Sequence, residues 1–319
     1  MSLHRWLFHC LLLIALILPL PAWSGQPWLA PHLQDHPLVG QRWSHHDSLG
    51  DDGADLIDDL RRADFLLLGE VHGNPDHHRL QLTLVEAMTD RKPALVFEIF
   101  DLEDQPAIDA YRAEGGRDAN GLAERTGVMG RQWPWDEYRA LVQHALNHGL
   151  PIIAGNLSGS AALAVAREGF QVLDEALSDL GLDAPLPDEA LSTLTRRILD
   201  AHCGYLPETR AAGMVNAQRA RDAYMARRMA AVTGRPAILI AGSGHVRLDH
   251  GVPLYLHRQA PERTVLSLAF VEVREEAASM ADYASATPQV HHWVWFTPRL
   301  RITDPCDDFR EQLERMRSG

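Results

Sequence analysis

Short apolar runs that stop at a polar side chain recur along this chain. Phe65-Leu-Leu-Leu68 ends at Gly69, with Glu70 and His72 directly behind it. A run of this length bounded by turn residues reads as a buried strand of a parallel sheet. Asn74-Pro75 then reads as the N-cap and first residue of a helix, so a strand–turn–helix unit is predicted. Leu95-Val-Phe-Glu98, Pro151-Ile-Ile-Ala-Gly-Asn156 and Ala237-Ile-Leu-Ile-Ala-Gly-Ser-Gly-His245 repeat the form, and further strands are predicted at about 264–273 and 290–296. Helical periodicity fills the intervals. From Pro75 to about Thr89, Leu82, Val85 and Met88 share one face, with His78 and Gln81 on another. A second helix starts in Trp133-Pro-Trp-Asp-Glu-Tyr138 and ends near Gly149, and residues 158–233 read as helical throughout, broken once at Pro185 and Pro187. The alternation predicts an α/β fold: a mostly parallel β-sheet flanked by helices, built from 25–157 and 234–319, with a smaller all-helical subdomain inserted at 158–233. Residues 26–55, which include Trp43, His45 and His46, and residues 114–131 show no sustained period. The first reads as a loop or short hairpin, the second as a mobile loop over the strand ends.

The first residues form a different pattern. His4 and Arg5 precede an apolar run from Trp6 to Leu20, and Ala22-Trp-Ser24 has the small-x-small form of a cleavage site, so residues 1–24 are expected to be a secretory signal peptide. The run is short for a membrane span. A periplasmic or outer-membrane-associated location follows as the expectation. The net charge of −13 argues against nucleic acid as a partner. Two cysteines lie beyond the signal, Cys203 and Cys306; in an oxidising compartment they could pair, and their spacing suits no cysteine-ligated metal.

Parallel strands end on one rim of their sheet, where open α/β sheets form ligand crevices. Glu70, His72, Glu98, Asn156 and His245 are therefore expected to converge. A mixed histidine–carboxylate set can bind a divalent metal ion or supply a general base with an acid beside it. Within the inserted helices, Met214, Gln218, Asp222, Met225 and Met229 share one face. A methionine stripe is ordinary core packing, but Gln218 and Asp222 in its middle need polar partners if buried. That face is expected to look into the crevice at its centre. His202-Cys-Gly-Tyr205 forms a turn between helices that carries several potential ligands.

The chain resembles the ChaN-like haem-binding uptake proteins of the Tiki/TraB/erythromycin-esterase superfamily. The resemblance is carried by Leu68-Gly-Glu-Val-His-Gly-Asn-Pro-Asp-His-His-Arg-Leu-Gln81, Phe97-Glu98 with Gln105, Trp135 with Tyr138, and Ala154-Gly-Asn156. It continues through His202-Cys-Gly204, Met214 to Met225, and Gly242-Ser-Gly-His-Val-Arg247 with Gly251-Val-Pro253. It implies a bacterial envelope protein serving haem or iron acquisition, haem held by a tyrosine, a tendency to dimerise and an outer-membrane haem receptor as a partner. On this reading haem is gripped between the rim and the helical subdomain, and Tyr205, Tyr138, His78, Asn156, His202, Gln218, Asp222 and Arg247 are the ligand-binding candidates, Tyr205 being the best placed tyrosine and Tyr138 and Tyr111 the next. Tyrosinate is a good ligand for ferric haem. The superfamily also includes proteases and esterases, which implies an alternative: a metal-dependent hydrolase with His72, His245 and Glu70 on the metal and Glu70 or Glu98 as general base, giving Glu70, His72, Glu98 and His245 as its catalytic set.

Overall fold

A computed structural model describes residues 27–44, 54–131, 133–173, 180–287, 289–304, 306, 307 and 310. The expected signal segment and the histidines at 45 and 46 lie outside these residues.

The apolar runs form strands, in chain order β1 (Arg42–Ser44), β2 (Phe65–Glu70), β3 (Ala94–Asp101), β4 (Ile152–Asn156), β5 (Ala237–Gly242), β6 (Val265–Glu272) and β7 (Trp293–Thr297). They make one sheet in the order β1-β7-β6-β2-β5-β3-β4. Every pairing is parallel except that of β1 with β7, at the edge. β1 falls in the stretch expected to hold only a loop or hairpin.

Side chains alternate between the two sheet faces, so each strand feeds two cores. Leu66, Leu68, Leu95, Phe97, Ile238, Ile240 and Phe270 face one way. There they meet α1 (Ala54–Arg62), α2 (Pro75–Ala87), α4 (Ala119–Thr126) and α5 (Trp135–Asn147) through Leu60, Leu84, Leu122 and Leu141. Phe65, Leu67, Val96 and Leu239 face the other way, against α6 (Gly159–Glu168), the long α8 (Glu208–Ala230) and α9 (Val252–Gln259). α3 (Gln105–Ala113) follows β3, and α7 (Asp188–Ala201) precedes α8.

Two features bear on the expectations. Residues 119–126 are helical, not an irregular loop: Asp118 caps the Gly121 amide at 2.9 Å, and Ala119, Leu122 and Ala123 are buried. The apolar face of so short a helix is too sparse to show as a period. α8 serves two regions at once. Ala223, Met225, Ala226 and Met229 in its second half pack on the sheet, while Val215 nearer its start joins Leu186, Ala190 and Leu194 in a small separate nucleus.

Gly69 sits where β2 passes the turn after β5. A Cβ there would lie 2.3 Å from Val246 Cγ2 and 3.0 Å from the Ser243 Cα. Gly69→Ala is expected to destabilise the fold by about 1–3 kcal/mol through overpacking. Combined with Val246→Ala it should lose less than the sum of the two single changes, because the clash disappears. Chemical denaturation of the three variants checks this, and strict additivity would refute it.

Candidate functional site

Glu70 is the last residue of β2, as expected, whereas β3 runs on past Glu98 to Asp101, and strand alternation sends the two carboxylates to opposite faces. Glu70 shares its face with Leu66 and Leu68 and enters the layer of α2 and α5; Glu98 shares its face with Val96 and enters the layer of α8. The expected single rim is thus two polar clusters joined across Gly242. A Cβ on Gly242 would come within 3.0 Å of the His72 ring and 3.6 Å of a Glu98 carboxylate oxygen. The glycine keeps the two groups close.

The first cluster centres on Glu70, whose side chain is fully buried. Its Oε2 accepts a hydrogen bond from Gln81 Nε2 at 2.8 Å and lies 3.2 Å from His78 Nδ1. Its Oε1 takes the Tyr138 hydroxyl and lies 3.0 Å from His72 Nδ1. Burial pushes Glu70 toward the neutral acid, yet the charges of His78 and His72 and the donated hydrogen bonds hold it below its ordinary value. Burial and then the adjacent Glu70 charge push Tyr138 in the other direction, well above the phenol range. His72 reaches the surface: its side chain is 43% exposed, and its ring meets the edge of Trp133 at 5.0 Å. The turn is fixed from below by His77, whose Nδ1 accepts from the Val71 amide at 2.9 Å and whose Nε2 meets Thr297 Oγ1 at 2.7 Å. This histidine was not among the sequence candidates; its place in Asp-His-His was the only trace of it.

The second cluster is a carboxylate–histidine–carboxylate line. His245 Nε2 is 3.1 Å from Glu98 Oε1, and His245 Nδ1 is 2.5 Å from Asp222 Oδ1 on α8. Glu98 Oε2 also accepts the Gly242 amide at 2.7 Å, and the Gln218 amide lies 3.0 Å from His245 Nδ1. Burial alone would neutralise His245, but Glu98 and then Asp222 raise it to about 10, so it is an imidazolium at neutral pH. In return, Glu98, though buried, is drawn down to about 2 by the His245 charge and hydrogen bond. Burial wins at Asp222, which is raised.

Other sequence candidates serve nearby structure. Asn156 is buried and accepts from Arg221 at 2.7 Å. His78 is buried with its ring edge-on to Tyr138 at 4.4 Å. Arg247 forks onto Asp249 with contacts of 2.9 and 2.6 Å. Tyr111 donates to the Asp118 carbonyl at 2.9 Å. Met225 and Met229 are core, as a methionine stripe usually is, while Gln218 and Asp222 between them and Met214 reach His245.

The α7–α8 turn holds His202, whose Nδ1 lies 2.7 Å from the Ile198 carbonyl oxygen. Cys203 there takes a left-handed φ of 55° and forms a disulfide with Cys306, their Cα atoms 5.4 Å apart. Tyr205 is 43% exposed and its hydroxyl bonds to Arg310.

The metal expectation is not carried by this geometry. Among the described residues no group of three or more His, Cys, Asp or Glu is arranged to hold a metal ion. His72, His245 and Glu70 fall in two clusters: both ring nitrogens of His245 face carboxylates, Glu98 and Asp222, while His72 meets Glu70 through Nδ1. Among the described residues no helix is long and apolar enough to cross a membrane.

Residues 56–256 match the family described as haem-binding uptake, Tiki superfamily, ChaN. The fold is similar to that of ChaN of Campylobacter jejuni, described for its cofacial haem binding. The two chains are 19% identical with a TM-score of 0.63, over 79% of this chain and 94% of the other. A mutant of the erythromycin esterase EreC in its open conformation is more distant, at 12% identity and a TM-score of 0.42 over 84% of this chain and all of the other. No curated protein is significantly similar to this sequence.

Proposed function

Because this chain belongs to the ChaN family of haem-binding uptake proteins, we propose that it is an exported accessory of haem uptake that ligates ferric haem through Tyr205. The family match over residues 56–256 is the observation that carries haem as the cargo. The choice of tyrosine rests on exposure. Tyr138 is buried and committed to Glu70, and Tyr111 to Asp118, whereas Tyr205 lies at the surface beside Arg310. Tyrosinate is a good ligand for ferric iron. His202, in the same turn, and His72, on the open side of the rim, would flank the macrocycle. The Cys203–Cys306 bond supports an oxidising compartment, periplasmic or at the outer membrane, where disulfides persist. A second copy of the chain would meet the first through its haem face, as the cofacial arrangement named for the C. jejuni protein suggests, and an outer-membrane haem receptor would take the cargo onward or supply it.

Titration of the apo-protein with haemin is expected to give a displaced Soret band that saturates at a fixed stoichiometry. Tyr205→Phe should remove the tyrosinate charge-transfer band and weaken binding at least about tenfold, roughly 1.4 kcal/mol. Tyr111→Phe should leave both unchanged. Weak, unsaturable binding would reject haem as the cargo. A Tyr205→Phe spectrum identical to the parent's would reject the ligand assignment alone.

A further inference from the structure

A cavity of about 310 Å³ opens beside the turn after β2 and is lined by four arginines, Arg197, Arg247, Arg274 and Arg299, together with Ser243 and His291. Its position is the one where open parallel sheets bind ligands. β3, the next strand in sequence after β2, lies on one side of β2, whereas β6, which follows β5, lies on the other, so the strand order reverses at β2. Val71 and Ser243 mark the carboxyl ends of β2 and β5, and residues 269–273 of β6 and its continuation form the floor.

The charge is unbalanced in a chain whose net charge is −13. Arg247 is answered by Asp249, and Arg274 donates to the Asp282 carbonyl at 2.6 Å, with Glu276 3.7 Å away. The one acidic lining residue, Glu272, is already turned to Asn74 Nδ2 at 2.7 Å and the Leu300 amide at 2.9 Å. Among the described residues the guanidinium groups of Arg197 and Arg299 make no hydrogen bond or ion pair, and the Ser243 hydroxyl has no partner. His291 is buried and held neutral, its pKa lowered to about 3 by burial and then by Arg247, so the positive charge lining the cavity is that of the arginines. Loss of surrounding water and then Arg247 lower Arg197, and Asp249 and Asp200 only partly offset them.

We propose that this cavity is a binding site for a small dianion, a molecule presenting carboxylate or phosphate oxygens to the Arg197 and Arg299 forks and to the Ser243 hydroxyl. A planar guanidinium matches both anions with paired hydrogen bonds. The two arginines come from separate elements, Arg197 from α7 and Arg299 from the segment after β7. The Cys203–Cys306 disulfide, a short distance beyond each in sequence, ties those elements together.

Isothermal titration calorimetry of the full protein with inorganic phosphate, and separately with citrate, at ionic strength balanced by sodium chloride tests the site. Saturable one-to-one binding with a Kd below about 1 mM is expected. Arg197→Ala and Arg299→Ala should each weaken it at least tenfold, and Arg112→Ala, away from the cavity, should not. Citrate binding more tightly than phosphate would identify a carboxylate ligand and the reverse a phosphate, and either order sustains the site. Heats no larger than those of the matched chloride control, or unchanged affinity in both cavity variants, would overturn it. All three arginines are solvent-accessible, so folding of the variants is checked by their retained thermal transition.

Discussion

His245→Ala is expected to destabilise the protein by about 3–5 kcal/mol, because it leaves Glu98 and Asp222 buried without the charge that lies between them. For a domain of this size that is a fall of roughly 10 °C in Tm. Adding Glu98→Gln and Asp222→Asn should recover part of the loss, since the orphaned charges are then gone. The pH dependence carries a second signature. His245 is raised from 6.5 to about 10, so its contribution is complete below pH 6.5 and is lost as pH climbs toward 10. Glu98 is lowered from 4.5 to about 2, so its contribution is present above pH 4.5 and is lost as pH falls toward 2. Asp222, raised from 3.8, opposes folding once the unfolded chain would ionise it, which trims the gain above that pH. The Tm gap between parent and His245→Ala should therefore be widest between about pH 4.5 and 6.5 and narrow on the alkaline side. A variant within 1 kcal/mol of the parent at pH 7 would show that the line of three groups holds little.

Removing the Cys203–Cys306 bond should have a comparable effect. The two residues are 103 apart in sequence, and closing a loop of ~100 residues restricts the unfolded chain by about 4–5 kcal/mol in the chain-entropy account. Cys203→Ser/Cys306→Ser, or the parent under reducing agent, is expected to melt well below the oxidised protein. The loss should reach the α7–α8 turn first. Cys203 and Gly204 both sit at positive φ there, and the bond anchors that turn to the C-terminal segment. Hydrogen exchange at Tyr205 and at residues 196–202 should rise more than exchange in β2 or β5. An oxidised and a reduced form with the same Tm would place the bond outside the stability of the fold. Disrupted haem spectra with an intact Tm would show instead that it only shapes the Tyr205 turn.

These effects trace back to different levels of the chain. The hydrophobic pattern alone determined that there would be parallel strands at β2 to β7, because short buried runs punctuated by glycine and polar residues have few other ways to satisfy their backbone. It also determined that Glu70, His72 and His245 would lie at or just beyond strand ends, and that Gln218 and Asp222 would need partners, whereas Glu98 lies within β3, which continues to Asp101. The helix at 119–126 was hidden because eight residues carry too little periodicity to register. Which face each carboxylate takes was decided in the tertiary structure. Strand alternation puts Glu70 under α2 and α5 and Glu98 under α8, and so turns one expected rim into two clusters. Tyr138 reads in sequence as a possible ligand, but the fold turns its hydroxyl onto Glu70. The arginine cavity was invisible in sequence for the same reason: Arg197 and Arg299 are a hundred residues apart, and only strand order and the Cys203–Cys306 bond bring their elements to one place. Local spacing fixes what a residue can do, whereas its partners come from distant segments, and short-range pattern holds no record of those.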